Sequence, residues 1–191
     1  MQTITETLVL GVGNVLFGDE GLGVHLASLL LQNYHFTPDD QAEHTATLDI
    51  VDGGTLGPHL IPLLADYRRV LLLDTITASG AAPGEVFCFD YQQVPAPVTG
   101  RGSAHEVEMH QTLAMMRMAG DLPQITVLAV VPTIISETTF KLSPPIENAA
   151  VLMEEKALEI LAGWGFQGTK VASTPVAEIA RLCCREGCRA T

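Results

Sequence analysis

The stretch Leu8-Val-Leu-Gly-Val-Gly-Asn-Val-Leu-Phe-Gly-Asp-Glu20-Gly-Leu-Gly-Val24 decides the fold of this chain. It starts as a short apolar run, passes through a glycine-rich turn, and continues with apolar residues at helical spacing. A buried strand that leads through a glycine turn into a helix is typical of the first unit of a doubly wound α/β domain. Ligands of such domains bind outside the carboxyl ends of the strands, so Asp19 and Glu20 are predicted to lie at the functional edge.

The glycines of this stretch do not form a nucleotide-binding motif. After Gly11 and Gly13, the pattern G-x-G-x-x-G requires a third glycine where this chain has Leu16. No Gly-Lys-Ser/Thr sequence follows, so the chain also lacks a phosphate-binding loop of that type. The two adjacent carboxylates would oppose a phosphate at the helix N-terminus, and the pattern favours a cation there.

Length and composition predict one soluble domain with a sizeable core. The chain has 191 residues, of which 47% are hydrophobic, and a formal net charge of −12. This charge argues against nucleic acid or an anionic membrane surface as the partner. No apolar run is long enough to span a membrane, and the N-terminus does not resemble a signal peptide, so we expect a cytoplasmic protein.

The four cysteines do not indicate a disulfide framework in a chain of this size. Cys88 lies in an apolar run and is predicted to belong to the core. Cys183, Cys184 and Cys188 cluster near the C-terminus and could bind a soft metal, but a fourth ligand is missing nearby. The favoured interpretation is a set of free thiols on an extension.

Apolar runs and turn signals predict the remaining elements. Strands are expected at 47–51, 69–74, 85–90 and 125–131, the third of them antiparallel at a sheet edge. Helices are expected at 20–33, 56–64, 103–119 and from Pro145 to 163, with Ser103 as an N-cap. Residues 1–167 are predicted to form a single α/β domain. Residues 168–191 are predicted to be a C-terminal extension that could be flexible, with no clear place in the core and a short helix near 176–182.

Three side chains are predicted to converge at the edge where strands end and helices begin. Glu20 opens the first helix, Asp74 ends a buried strand, and His105 begins the helix after the longest irregular segment. Two carboxylates and one imidazole suit a divalent transition metal that keeps open positions. Each residue also has a simpler interpretation: Glu20 could complement the helix dipole, Asp74 could cap a turn, and His105 could lie on the surface.

Two other residues compete for places in this site. His110 lies five residues after His105, about 140° around a helix, so the two imidazoles cannot easily share one metal. Asp52 ends the second predicted strand, but the following glycine pair explains it equally well as part of a turn. No serine or cysteine occupies a nucleophile elbow.

With these residues in place, the chain resembles the [NiFe]-hydrogenase maturation endopeptidases. The resemblance covers residues 7–165 and depends on four motifs in the family's order. The first is long and specific, and the others are short: Gly11-Val-Gly-Asn-Val-Leu-Phe-Gly-Asp-Glu20-Gly-Leu-Gly23, Asp52-Gly-Gly-Thr55, Leu71-Leu-Leu-Asp74 and Ser103-Ala-His105.

The resemblance implies a fold and an activity. The implied fold is a three-layer α/β/α sandwich with a twisted, mostly parallel five-stranded sheet. The implied activity is removal of a C-terminal peptide from the hydrogenase large-subunit precursor after nickel insertion. Glu20, Asp74 and His105 would then bind the nickel that the precursor carries, as metal ligands and catalytic residues.

Two other functions remain open from the sequence. One is a zinc-dependent hydrolase in which the same three residues hold a permanent metal. The other is a non-catalytic metal chaperone that also uses the cysteines near the C-terminus. The resemblance says nothing about those cysteines.

Overall fold

The chain forms a five-stranded sheet between two layers of helices, together with a separate two-stranded sheet. The structure, a computed structural model, describes residues 6–39, 46–55, 57–93, 104–133 and 138–186, without the side chains of residues 104–108 and 183–186. The strands are β1 (Glu6–Val12), β2 (Tyr34–Pro38), β3 (Thr47–Gly54), β4 (Arg69–Thr75), β5 (Val86–Asp90), β6 (Gln124–Val130) and β7 (Phe166–Lys170). The helices are α1 (Leu22–Asn33), α2 (Ile61–Ala65), α3 (Ala104–Ala119), α4 (Pro144–Gly163) and α5 (Val176–Glu186).

The main sheet has the strand order β3-β1-β4-β6-β5. The pairs β3–β1, β1–β4 and β4–β6 are parallel, and β5 pairs antiparallel with β6 at one edge. This confirms the predicted mostly parallel sheet of five strands and the predicted antiparallel edge strand. Parallel strands joined by helices place all their carboxyl ends at the same edge.

The central strands are apolar along their whole length because both faces of the sheet are covered. Along β1 and β4, all positions after the first are buried. One face packs against α1, α4 and α5, and the other against α2 and α3. The predicted three-layer arrangement is therefore confirmed. Within the described residues, no helix is long and apolar enough to cross a membrane.

The second sheet was not predicted, and one of its strands spans residue 167, where the predicted domain ends. Strand β7 crosses that boundary and pairs antiparallel with β2, from Tyr34 opposite Lys170 to Pro38 opposite Phe166. Beyond it, α5 buries Val176, Ile179 and Ala180 in the core shared with α1 and α4. The prediction that the chain after Gly168 has no clear place in the core is wrong, whereas the short helix near 176–182 is confirmed.

A buried asparagine connects this C-terminal segment to the end of α1. The Asn33 side chain accepts a hydrogen bond from the Thr174 N–H at 3.0 Å and donates one to the Thr174 carbonyl at 2.9 Å. The Asn33 carbonyl also accepts a hydrogen bond from the Val171 N–H at 2.7 Å. Pairing of both amide groups satisfies a side chain that is only 1% exposed.

Two further expectations concern cysteines and a helix cap. Cys88 is exposed on β5, so its predicted place in the core is wrong: the strand lies at the sheet edge, and an apolar run there need not be buried on both faces. The proposed N-cap Ser103 lies outside the described residues, as do the side chains of Cys183, Cys184 and Cys188.

Two glycines let α1 lie directly on the backbone of the sheet. A Cβ atom on Gly23 would lie 2.2 Å from the Leu73 carbonyl oxygen and 2.3 Å from the Val12 carbonyl oxygen. A Cβ atom on Gly11 would lie 2.3 Å from the Gly23 carbonyl oxygen. Helix and strands are therefore in backbone contact at the point where β1 and β4 end.

We expect Gly23→Ala to destabilise the fold severely. The added methyl group meets backbone atoms of two central strands, which cannot move aside separately, so we expect a loss of more than about 3 kcal/mol. Urea unfolding of the purified variant measures this loss. Gly163→Ala is the matched control because a Cβ atom there meets nothing within 4 Å. It should leave stability unchanged or raise it by up to about 1 kcal/mol. Equal stabilities of the two variants would contradict this packing argument.

His25 is a buried histidine on α1 whose ring nitrogens have no hydrogen-bond partner among the described residues. The residue is 1% exposed, and neither Nδ1 nor Nε2 is paired. Burial lowers the pKa of His25 from 6.5 to about 4, because the charged imidazolium would lose its hydration. The side chain is therefore neutral in the folded protein at physiological pH.

We expect His25 to make the protein less stable as the pH falls from about 6.5 to about 4. The unfolded chain takes up a proton over this range and the folded chain does not, so His25 lowers the free energy of unfolding by up to about 3 kcal/mol. His25→Leu, of similar size, should reduce the stability difference between pH 7 and pH 4.5 by about that amount. Urea unfolding at both pH values measures it. A variant with the wild-type pH dependence would contradict the prediction.

Candidate functional site

Glu20 lies in a tight turn that joins β1 to α1. Residues Gly18–Gly21 form one turn of 3-10 helix, and Glu20 is half-buried within it. The turn folds back on Gly13, whose φ of 143° few other residues can adopt. A Cβ atom on Gly13 would lie 2.0 Å from the Glu20 carbonyl oxygen, so the backbone of Glu20 lies against the end of β1.

Asp74 lies beside this turn on the neighbouring strand. It is the penultimate residue of β4, one position beyond the Gly11–Leu73 pair of the parallel register. Its side chain is 4% exposed, and its Oδ1 atom accepts a hydrogen bond from the Thr75 N–H at 2.7 Å. The structure therefore places Glu20 and Asp74 on adjacent elements at the carboxyl edge of the sheet.

The backbone of His105 lies at the same edge. His105 is the second residue of α3, a helix of 16 residues and about 24 Å. Four residues separate the end of this helix from the next strand. That strand, β6, has seven residues and is about 23 Å long, so the start of α3 is level with its carboxyl end. The side chain of His105 lies outside the described residues.

His110 and Asp52 are the two residues that compete for places in this site. His110 is exposed, and its ring centroid is 6.3 Å from that of Tyr91. Tyr91 follows β5 and lies at the end of the sheet where the parallel strands begin. Asp52 is exposed at the end of β3, and its Oδ1 atom accepts a hydrogen bond from the Gly54 N–H at 2.8 Å. This bond supports the turn interpretation of Asp52.

The prediction that Asp19 lies with Glu20 at the functional edge is wrong, because the Asp19 side chain points into the protein. It is fully buried, and its oxygens accept three hydrogen bonds. The donors are the Ser143 N–H and the Ser143 hydroxyl, both at 2.7 Å, and the Thr133 N–H at 3.1 Å. Asp19 thus connects the turn that carries Glu20 to the segment between β6 and α4.

The donor atoms at this edge are suited to a divalent cation that brings ligands of its own. Two carboxylates offer hard oxygen donors, and an imidazole would add a borderline nitrogen donor. Among the side chains that the structure describes, no three of His, Cys, Asp or Glu are close enough to hold a metal ion. Glu20 and Asp74 alone therefore do not complete a metal site.

A cavity of about 490 Å³ lies elsewhere, between β2 and β3. It is lined by Leu31, Tyr34, His35, Phe36, Leu48, Asp49, Ile50, Val51 and Tyr67, none of which is a candidate ligand. Inside it, burial and the hydrogen bond to Asp49 raise the pKa of the Tyr67 hydroxyl. The convergence of candidate ligands, rather than this cavity, therefore defines the candidate site.

We expect Asp19→Ala to destabilise the protein by about 3 kcal/mol or more, because it leaves two backbone N–H groups and one hydroxyl without their charged acceptor. Ser143→Ala removes one of the three donors and should cost about 1 kcal/mol. Asp52→Ala is the control, since this exposed carboxylate accepts one turn hydrogen bond and should cost less than about 1 kcal/mol. Urea unfolding measures all three. An Asp19→Ala variant as stable as Asp52→Ala would refute the structural role of Asp19.

Comparison with protein families identifies relatives of this chain. A family model described as hydrogenase maturation protease matches residues 24–160. The protein HydD of Wolinella succinogenes is 44% identical over 160 residues, which cover 83% of this chain and 97% of HydD. The hydrogenase 2 maturation protease of Escherichia coli is 34% identical over 153 residues, which cover 80% of this chain and 85% of that protein.

Solved structures agree with these matches. The hydrogenase maturating endopeptidase HybD from Escherichia coli superposes with a TM-score of 0.74 at 28% identity, over 87% of this chain and 98% of HybD. The family match spans the positions of Asp74 and His105, two of the three candidate ligands. The chain belongs to the hydrogenase maturation protease family.

Proposed function

We propose that this protein is an endopeptidase that removes the C-terminal peptide of a [NiFe]-hydrogenase large-subunit precursor after nickel insertion. In this proposal the nickel in the precursor is the recognition signal. Glu20, Asp74 and His105 bind it, and cleavage follows at the peptide that it presents. Membership of the hydrogenase maturation protease family supports the endopeptidase activity in general.

The observation that supports the proposal is that the turn with Glu20 and the end of β4 with Asp74 are adjacent elements at the carboxyl edge of the sheet. Backbone contacts through Gly13 and Gly23 fix the turn and the strand that carry them. The start of α3, with His105, lies at the same edge. Ligands on three elements that meet at one edge can contact a metal ion presented from outside the molecule.

The chemistry of these donors fits a metal that arrives with the substrate. Nickel prefers soft sulfur ligands, and thiolates of the precursor would supply them. The carboxylates and the imidazole would then occupy the remaining open positions. A precursor without nickel would lack this contact, and the protease would bind it weakly. Glu20 and Asp74 are also the two residues to test as a general base.

We expect the protein to cleave a nickel-loaded large-subunit precursor and to leave the same precursor without nickel intact. Glu20→Ala should lower kcat/KM by more than about a hundredfold, because even residues that only support metal ligands contribute about ten- to a hundredfold. Glu147→Ala is the matched control, since this exposed glutamate lies in the first turn of α4. Gel mobility and mass spectrometry of the precursor measure the cleavage. Equal cleavage of both precursor forms would contradict nickel recognition.

Related measurements test the two other functions that the sequence leaves open. A tightly bound zinc ion in the purified protein, together with an uncleaved precursor in both forms, would favour the zinc-dependent hydrolase. For the metal chaperone, deletion of residues 168–191 is a poor test because it removes Ile179 and its neighbours from the core. Cys183→Ser combined with Cys184→Ser and Cys188→Ser is the better test, and loss of metal binding in that variant would favour the chaperone.

A further inference from the structure

Two exposed apolar side chains lie on the segments that flank the candidate site. Leu16, four residues before Glu20, is 47% exposed, and Phe140 is 37% exposed. Their segments are neighbours: Phe17 and Thr139 form a parallel β-bridge. We refer to Leu16 and Phe140, with the adjacent Lys141, as the Leu16–Phe140 ledge.

The backbone beneath this ledge is fixed on both sides. The Thr139 N–H donates to the Leu16 carbonyl at 2.9 Å, and the Gly18 N–H donates to the Thr139 carbonyl at 2.7 Å. The Asn14 side chain accepts a hydrogen bond from the Leu16 N–H at 3.0 Å. Asp19 and Ser143 tie the same two segments together at their far ends. Apolar groups on a fixed backbone bind with little loss of conformational entropy.

The ledge is continuous with the candidate site. The Glu20 N–H donates to the Phe17 carbonyl, so the chain passes from the ledge to the candidate ligand within one turn. The other large apolar side chains that are exposed in the described part of the chain lie away from the starts of their helices or outside the helices. They are Leu31 in the last turn of α1, Met115 and Met118 toward the end of α3, Val151 and Leu152 in the middle of α4, and Val171 after β7.

Lys141 adds a charge preference to the ledge. It is exposed and forms no ion pair with any of the described residues. In a chain with a net charge of −12, an unpaired cation beside an apolar pair favours a partner that carries a negative group next to an apolar side chain.

We propose that the Leu16–Phe140 ledge binds the extended segment of the large-subunit precursor that flanks the scissile bond. An apolar side chain of that segment packs on Leu16 and Phe140, and an acidic side chain next to it pairs with Lys141. The assignment rests on the proposed function, because it takes the precursor as the substrate. The metal contact then recognises the loaded precursor, while the ledge places the peptide to be cut.

The test is the steady-state kinetics of Leu16→Ser, Phe140→Ser and their double variant with the nickel-loaded precursor. Each single variant should raise KM about fivefold or more and leave kcat within about twofold, since loss of an apolar contact weakens binding without touching the reacting groups. Leu16→Met and Phe140→Leu should keep the wild-type KM. Leu31→Ser, at an exposed position on α1, is the matched control and should behave as wild type.

A second measurement does not depend on turnover. In the Glu20→Gln background, titration calorimetry with the same precursor should show the same weakening of Kd for the double variant. Lys141→Gln should reduce the dependence of KM on salt concentration. Urea unfolding should show that all ledge variants remain folded under the assay conditions, because each side chain is only partly buried.

The two proposals fail in different ways. If wild-type protein cleaves the precursor and the double variant has an unchanged KM and Kd, the ledge assignment is wrong and the proposed function stands. If the double variant loses kcat instead of binding, the ledge assignment is also wrong. If wild-type protein cleaves neither form of the precursor, the proposed function is wrong, and the ledge assignment falls with it.

Discussion

The packing of α1 against the sheet depends on Gly11 and Gly23, because glycine has no side chain. Because neither residue has a Cβ atom, α1 lies on the ends of β1 and β4 at backbone contact distance. This contact does more than build the core. Gly23 touches the Leu73 carbonyl, directly before Asp74, and Glu20 is only three residues before Gly23. The close packing of one helix on two strands therefore also sets the separation between the two candidate carboxylates.

Asp19 and Glu20 show how neighbouring carboxylates acquire different roles. In a 3-10 turn, consecutive side chains point about 120° apart. Asp19 therefore points inward to Ser143 and Thr133, whereas Glu20 remains half-buried at the edge. The sequence presents the two residues as an equivalent pair, because the donors that distinguish them lie 114 and 124 residues away. A buried acceptor of this kind is evident only when its donors are known.

Sequence patterns predict those parts of the fold where burial is unambiguous. The apolar runs of β1, β4 and β6 are buried on both faces, so their identity as central parallel strands follows from composition alone. The pairing of β2 with β7 could not be predicted in this way, because β7 is exposed after its first residue. The same distinction applies to the candidate site, where some features follow from sequence patterns and others do not. The edge positions of Glu20 and Asp74 follow from strand and turn patterns, whereas the inward direction of Asp19 depends on contacts distant in sequence.

In the proposed function, the candidate ligands must keep their positions before the substrate brings the metal. Two carboxylates held close together repel each other, and a resident cation would normally offset that repulsion. In the proposed function no such cation is present before the precursor binds, so the fold itself must hold the ligands in place. The backbone contacts at Gly13 and Gly23 and the buried hydrogen bonds of Asp19 supply that restraint. They act on the backbone that carries the candidate ligands. The same segment carries Leu16, and the hydrogen bond from the Glu20 N–H to the Phe17 carbonyl connects it to the turn of the candidate ligand.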